Sequence, residues 1–356
     1  MKTLSYSKKT KEDLVFQSIK KEVNEQFQKN NYTSYAPTSV WIKGTLYFIF
    51  LFSAYFILLQ NFSFLITCLA YATVGFSLLL LSFNWAHDAC HKSLSDKQWV
   101  NKLVYNAIIN LQGAKASFWE MRHMKSHHLF PNVPGADADL DDNKLLMYAP
   151  GKVKNKMMKY QHIYAPFVYL LYTLHWLFVK DVKFSLLKQH ANLEMKFDKK
   201  AFLSMLFIKV VYISLILALP MYLAGSNWHY PLISFFIMHL SMSFFLVFTF
   251  VLTHYCEGVK HPEMNEEGEI NGSWSEHQVD VSIDFHADEK WAYWVFGGFN
   301  AHQAHHLFPA ISHHHYYWIT KIVKRNLLEN KMEYKEVTFL GGIGSHLRYL
   351  KQIANS

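Results

Sequence analysis

Four long apolar blocks constrain this chain more than any other feature in it. They cover residues 40–59, 62–83, 201–224 and 231–253. A helix needs about 20 apolar residues to cross a hydrocarbon core of roughly 30 Å. Each block meets that length, so each reads as a transmembrane helix. Only Gln60 and Asn61 separate the first two blocks, which therefore pair antiparallel across a tight turn. Residues 225–230 join the last two. The expected fold class is an all-α integral membrane protein with four transmembrane helices.

Charge orients the spans. Neither short turn holds a Lys or Arg, while the N-terminal region, residues 84–200 and the C-terminal region hold nearly all 35 of them. Cytoplasmic loops carry the excess of Lys and Arg. Both termini and the central region are thus expected in the cytoplasm, where the polar chain forms a helical cap domain. The net charge of +8 would suggest nucleic acid in a soluble protein. Beside apolar spans it marks segments facing anionic lipid, so membrane lipids are expected as partners and no nucleic acid is.

The expected organisation is a cytoplasmic N-terminal segment (1–38), a main domain (39–325) and a cytoplasmic C-terminal tail (326–356). No apolar run follows the first charges, so no cleavable signal peptide is expected. In residues 11–29, Val15, Ile19, Val23 and Phe27 recur every fourth residue. That pattern is an amphipathic helix, lying on the membrane or packed on the rest of the chain. Residues 163–179 are apolar and aromatic but broken by His175. They suit an interfacial helix better than a span. Lys209 falls inside the third block, where it either snorkels to the interface or faces protein. Cys68, Cys90 and Cys256 have no CxxC spacing and make no disulfide framework, which fits a reducing compartment.

Chemistry is concentrated in the histidines, of which there are 21. Eight form three tight groups: His87 and His91; His123, His127 and His128; His302, His305 and His306. Residues four apart share one helix face. His87 and His91 can therefore reach one metal, and His123 with His127 repeats the arrangement while His128 turns to a neighbouring site. In the third group the imidazoles of His302, His305 and His306 share a face. Eight imidazoles are too many for one ion and suit two. All three groups fall on the same side of the membrane under the four-span topology. His254 directly follows the fourth block on that side and is a ninth candidate ligand.

Imidazole suits Zn, Cu, Fe and Ni. A structural zinc site would be expected to use cysteines. A zinc protease would need Glu after the first His, where this chain has Asp88. A pair of irons held by imidazole accounts for all three groups and leaves positions open for dioxygen.

The full pattern resembles the membrane fatty-acid desaturase and hydroxylase superfamily, over about residues 40–317. The segment from Gly297 to Pro309 is similar to the third motif of the branch with linoleoyl-CoA and front-end desaturases. Residues 87–91 and 119–132 resemble its first and second motifs, and the N-terminal helix resembles that of bacterial members. The resemblance implies that the eight clustered histidines and His254 bind two Fe ions, with O2 as co-substrate. It implies a multi-pass protein of the bacterial inner membrane. His302 departs from front-end members, which often carry Gln there. The His-Pro-Gly-Gly haem motif of a fused cytochrome b5 domain does not occur, so a ferredoxin or cytochrome b5-type donor is expected as a separate partner.

The implied reaction makes a cis double bond in an acyl chain carried as fatty acyl-CoA or acyl-lipid. Methylene C–H bonds have no acidic proton, so an oxidising cofactor must supply the hard step. The protein's share is to position the chain, which calls for an apolar tunnel. Trp85, Phe118, Trp119, Trp291, Trp294, Phe296 and Phe299 are candidate walls. Asp88, Glu120, Asp280 and Asp284 are candidate carboxylates behind the imidazoles. His313, His314 and His315 are expected to stand behind the site or apart from it. Two other classes compete. A lipid or alkane hydroxylase would share the same histidines. A metal transporter would need polar residues along its spans, and only His239 and Lys209 qualify.

Overall fold

The computed structural model describes residues 4–7, 11–140, 145–150 and 156–355. Helices dominate them. In chain order the helices are α1 (Lys11–Lys29), α2 (Thr38–Leu58) and α3 (Phe64–Cys90). Next come α4 (Gln98–Asn110), α5 (Ala116–Arg122), α6 (Lys156–Leu170) and α7 (Tyr172–Leu186). The second half carries α8 (Lys199–Asn227), α9 (His229–His254), α10 (Trp274–Asp280) and α11 (Lys290–Phe296). It ends with α12 (His302–Leu307), α13 (Tyr316–Glu329) and α14 (Phe339–Ile353). The described strands are two residues long and pair only two by two.

Helices α2, α3, α8 and α9 are long and apolar enough to cross a membrane. They match the four apolar blocks with shifted ends. The second block starts later, at Phe64, because Ser63 is extended and stands before the first turn. It also runs further. Rather than stopping near residue 83, α3 passes through a π turn at Ser82–Ala86 and continues to Cys90. Two side chains support the widened turn: Ser82 Oγ donates to Leu78 O at 2.9 Å and Asn84 Nδ2 to Leu80 O at 2.8 Å. The first histidine pair is thereby carried on the spanning helix itself.

The spans differ in burial. Half or more of α3 and α9 is covered by protein, whereas α2 and α8 lie mostly bare. The two inner helices pack through Tyr71, Val74, Leu78, Phe235, Met238 and Met242. Helices α6 and α7 are bent by 65° at Leu171, so residues 163–179 do not form one straight span. Lys209 faces protein. Its ammonium donates to Asp181 Oδ2 at 3.1 Å, Gly113 O at 3.0 Å and Trp176 O at 3.3 Å. Helix α1 packs on the core rather than standing alone: Ile19 and Val23 are buried against α13 and neighbouring residues, with Val15 and Phe27 beside them. Helix α14 likewise buries Tyr349, Leu350 and Ile353 in the main core.

Candidate metal centre

The three histidine groups meet where α3 and α9 end. Widened turns set two of their directions. The π turn in α3 precedes His87, and a second spans His123–His127 at the end of α5, where His128 N donates to His123 O at 3.0 Å. Such turns are rare and concentrate at functional sites. Here the turn separates His123 from His127. The spacing predicts that these two share an ion; the structure sends them to different centres.

In the first centre, one nitrogen from each of His87, His91, His123 and His305 lies within 4.8 Å of the others. In the second, His127, His254, His302 and His306 do the same. His128 groups with His305 and His306, between the two. Every histidine group therefore serves both centres except the first, which serves one. All nine imidazoles are buried, none more than 6% exposed.

The proton positions test whether this set fits a cation. A neutral imidazole carries one ring proton. His127 Nδ1 lies 3.1 Å from Asp137 Oδ2, His254 Nδ1 2.9 Å from Val281 O, and His306 Nδ1 2.8 Å from Gln278 Oε1. Each partner is an acceptor, which assigns the proton to Nδ1 and leaves a lone pair on Nε2. Those of His254 and His306 converge on His302 Nε2. His254 Nε2 is 2.7 Å from His302 Nε2, which is 3.1 Å from His306 Nε2. Converging lone pairs repel unless a cation sits among them, and this donor set fits one. The first centre repeats the pattern more loosely. His91 Nε2 faces His123 Nε2 at 3.0 Å, and His87 Nε2 is buried with no hydrogen-bond partner among the described residues.

Burial favours the neutral ring, and only a neutral imidazole can bind metal. Burial first, and neighbouring imidazoles second, hold His123, His128, His302, His305 and His306 well below the ordinary imidazole range. Burial lowers His91 to about 4. At His127 burial also pulls down, but the Asp137 carboxylate outweighs it and the pKa rises.

The outer partners are not the carboxylates expected. Asp88 accepts from Ser312 and lies 2.9 Å from His313 Nδ1, while His313 Nε2 stands 3.0 Å from Lys43 Nζ. His313 thus stands apart from both centres, at a buried ion pair. Asp280 pairs with Lys260, and Asp284 accepts from the Gln303 N–H and Tyr334 Oη. Glu120 lies beside Cys90 and Tyr105, and among the described residues it makes no hydrogen bond to a clustered ring. Asp137 and Gln278 take the expected role. Asp137 has one visible signal, lying ten residues after His127, but no spacing rule links Gln278 to His306.

Two apolar cavities adjoin the centres. The smaller, about 720 Å³ with its open mouth, runs from His87, Trp119 and Phe299 down past Leu79, Met242 and Tyr212. The larger, about 1880 Å³ with its open mouth, touches His123, His127, His254 and His302 and reaches Lys180 and Lys183. Both share Trp119, Trp176 and Phe250. Of the seven aromatic walls expected, Trp119 and Phe299 line a cavity. The rest serve elsewhere. Trp85 donates to Val40 O at 2.8 Å and covers Gly44; Phe118 meets Phe184; Phe296 stacks on Phe245. Trp291 and Trp294 are half exposed on the surface.

Comparison with known proteins decides the family. The family model described as "Fatty acid desaturase" matches residues 60–338. The chain belongs to the fatty acid desaturase family. It is 27% identical over 344 residues to a Synechocystis protein named "sn-1 linoleoyl-lipid 6-desaturase", covering 95% of each chain. It is also 27% identical to "Probable Delta(5) fatty acid desaturase C" of Dictyostelium discoideum, covering 99% of this chain and 79% of that one. An "Acyl-lipid (8-3)-desaturase" of Mortierella alpina is 27% identical over 284 residues, 78% of this chain and 63% of the relative. As a desaturase the chain is a membrane oxidoreductase acting on an acyl substrate, with a histidine-built metal site.

Proposed function

We propose that this desaturase uses two iron ions and O2 to place a cis double bond in an acyl chain. The observation that carries the reading is the pair of four-imidazole clusters opening onto apolar cavities. In it, His87, His91, His123 and His305 hold one iron, and His127, His254, His302 and His306 the other. His128 lies between them and completes the nine ligands. Iron with dioxygen supplies the oxidising power that no side chain has.

The chain's own residues do the rest. Asp137, Gln278 and the Val281 carbonyl hold ring protons at Nδ1, which keeps Nε2 basic and aimed. Trp119 stacks on His123 at 4.4 Å between centroids and walls both cavities. It can hold a bent chain against the first centre. Tight walls exclude water and fix which methylenes come near.

Removing two hydrogens and reducing O2 to two waters takes two further electrons and two protons. A ferredoxin or cytochrome b5-type protein delivers the electrons. The relatives named for acyl-lipid and linoleoyl-lipid substrates support an acyl-lipid, with acyl-CoA as the other carrier. The charge count supports both termini in the cytoplasm, and the likeness of the N-terminal helix to bacterial members supports the bacterial inner membrane.

Expression in a host of known lipid profile tests the reading. New cis double bonds are expected in extracted fatty acids. Hydroxylated products alone would overturn it.

A further inference from the structure

One polar cluster in the membrane-spanning part plays no role in holding metal. His239 lies on α9 at the far end of the smaller cavity. At 1.5 Å per residue it stands about 22 Å along the helix from His254. An ionisable residue inside a span is costly and marks function by default. Its hydrogen bonds are complete. Nδ1 is 2.9 Å from Thr173 Oγ1 and Nε2 is 3.0 Å from Tyr212 Oη. Thr173 Oγ1 lies 2.7 Å from Ser243 Oγ, which also accepts the Thr173 N–H at 2.9 Å. The knot ties α7, α8 and α9 together.

Both His239 nitrogens are engaged, so the ring offers a ligand no hydrogen bond. It meets a ligand as a wall. At the level of His239, α3 and α9 close on each other. A Cβ added at Gly75 would lie 2.6 Å from Met238 Cγ and 2.7 Å from Met242 Sδ. The absent side chain is what lets the helices meet, and the meeting ends the space beneath Leu79. Nothing at this end suits a charged or phosphorylated head. Lys180 and Lys183 line the other cavity.

We propose that His239, Thr173 and Tyr212 form the floor of the acyl-chain cavity. The floor stops the methyl end and so sets how many carbons extend beyond the reacting methylenes. This rests on the desaturase reading above. Burying one methylene improves binding by about fourfold, so moving the floor by one carbon shifts chain-length preference by about that factor.

The test feeds an expressing host fatty acids of stepwise length and reads chain length and double-bond position by gas chromatography–mass spectrometry. Tyr212→Ala deepens the floor, and the ratio of longer to native-length products should rise about fourfold or more. Leu79→Trp raises it, and the ratio should fall. Met242→Ala opens the same end without touching the knot and carries the test if Tyr212→Ala does not accumulate in the membrane. Melting temperatures of the purified proteins check that each variant folds. Folded variants that keep the wild-type chain-length profile overturn the floor. A wild-type chain that makes no double bond overturns the desaturase reading instead.

Discussion

The two histidine centres are alike in donor number and unlike in support. Behind the second stand Asp137, Gln278 and the Val281 carbonyl, each at hydrogen-bond distance from an Nδ1. Behind the first, the one such contact among the described residues is His305 Nδ1 to Tyr316 Oη, at 3.3 Å. His91 Nδ1 is buried with no hydrogen-bond partner among the described residues. The first centre is held instead by ring packing: His87 lies 4.2 Å from Phe299 and His123 stacks on Trp119. Those same aromatics wall the smaller cavity. Hydrogen bonds fix a ring's tautomer and direction, whereas packing fixes position and lets the ring turn. The centre beside the smaller cavity has the looser hold, and the other is its more rigid neighbour.

Ligand removal tests the comparison most severely. His127→Ala should abolish iron binding at the second centre and lower desaturation by more than about 100-fold, because even outer partners are worth 10–100-fold. Iron content by mass spectrometry and product analysis check it. Asp137→Asn should cost about 10–100-fold in metal affinity, since it withdraws the carboxylate from His127 Nδ1. Retained affinity in that variant would break the idea of a clamped centre.

Acid should act next. His91 titrates at about 4 in the fold against an ordinary 6.5. Its folded pKa is depressed, so between those values the unfolded chain binds more protons. The contribution to stability is complete above about pH 6.5 and is lost as pH falls toward 4. Melting of the metal-free protein across that window should show a progressive drop; a flat profile would contradict a buried neutral ring. The smallest effect is expected from Tyr316→Phe. It removes one long contact from the first centre and should change iron affinity only a few-fold, against 10–100-fold for Asp137→Asn. Equal losses in the two variants would erase the difference between the centres.

Much of the site is legible in the sequence. Four-residue spacing exposed His87 with His91, and topology alone added His254. The pairing into centres was not readable. A π turn has no strong sequence signal, and it parts His123 from His127. Outer partners were misassigned for a related reason. Asp88 stands next to His87 in sequence, yet it and Asp284 spend their oxygens on His313, Ser312, Gln303 and Tyr334. Aromatic residues are also ambiguous, since Trp85 and Phe296 serve core packing as readily as a cavity wall.

By itself the sequence determined the four spans and the gathering of the histidines on one side. These follow from hydropathy, charge and helical period, which act over a few neighbouring residues. Only the tertiary structure decided which imidazoles share a centre, which atoms hold their protons, and where the smaller cavity ends. Those depend on contacts between residues far apart in the chain, such as Gln278 with His306 and Thr173 with His239. No local pattern encodes such a contact, because its energy exists only once the helices have packed.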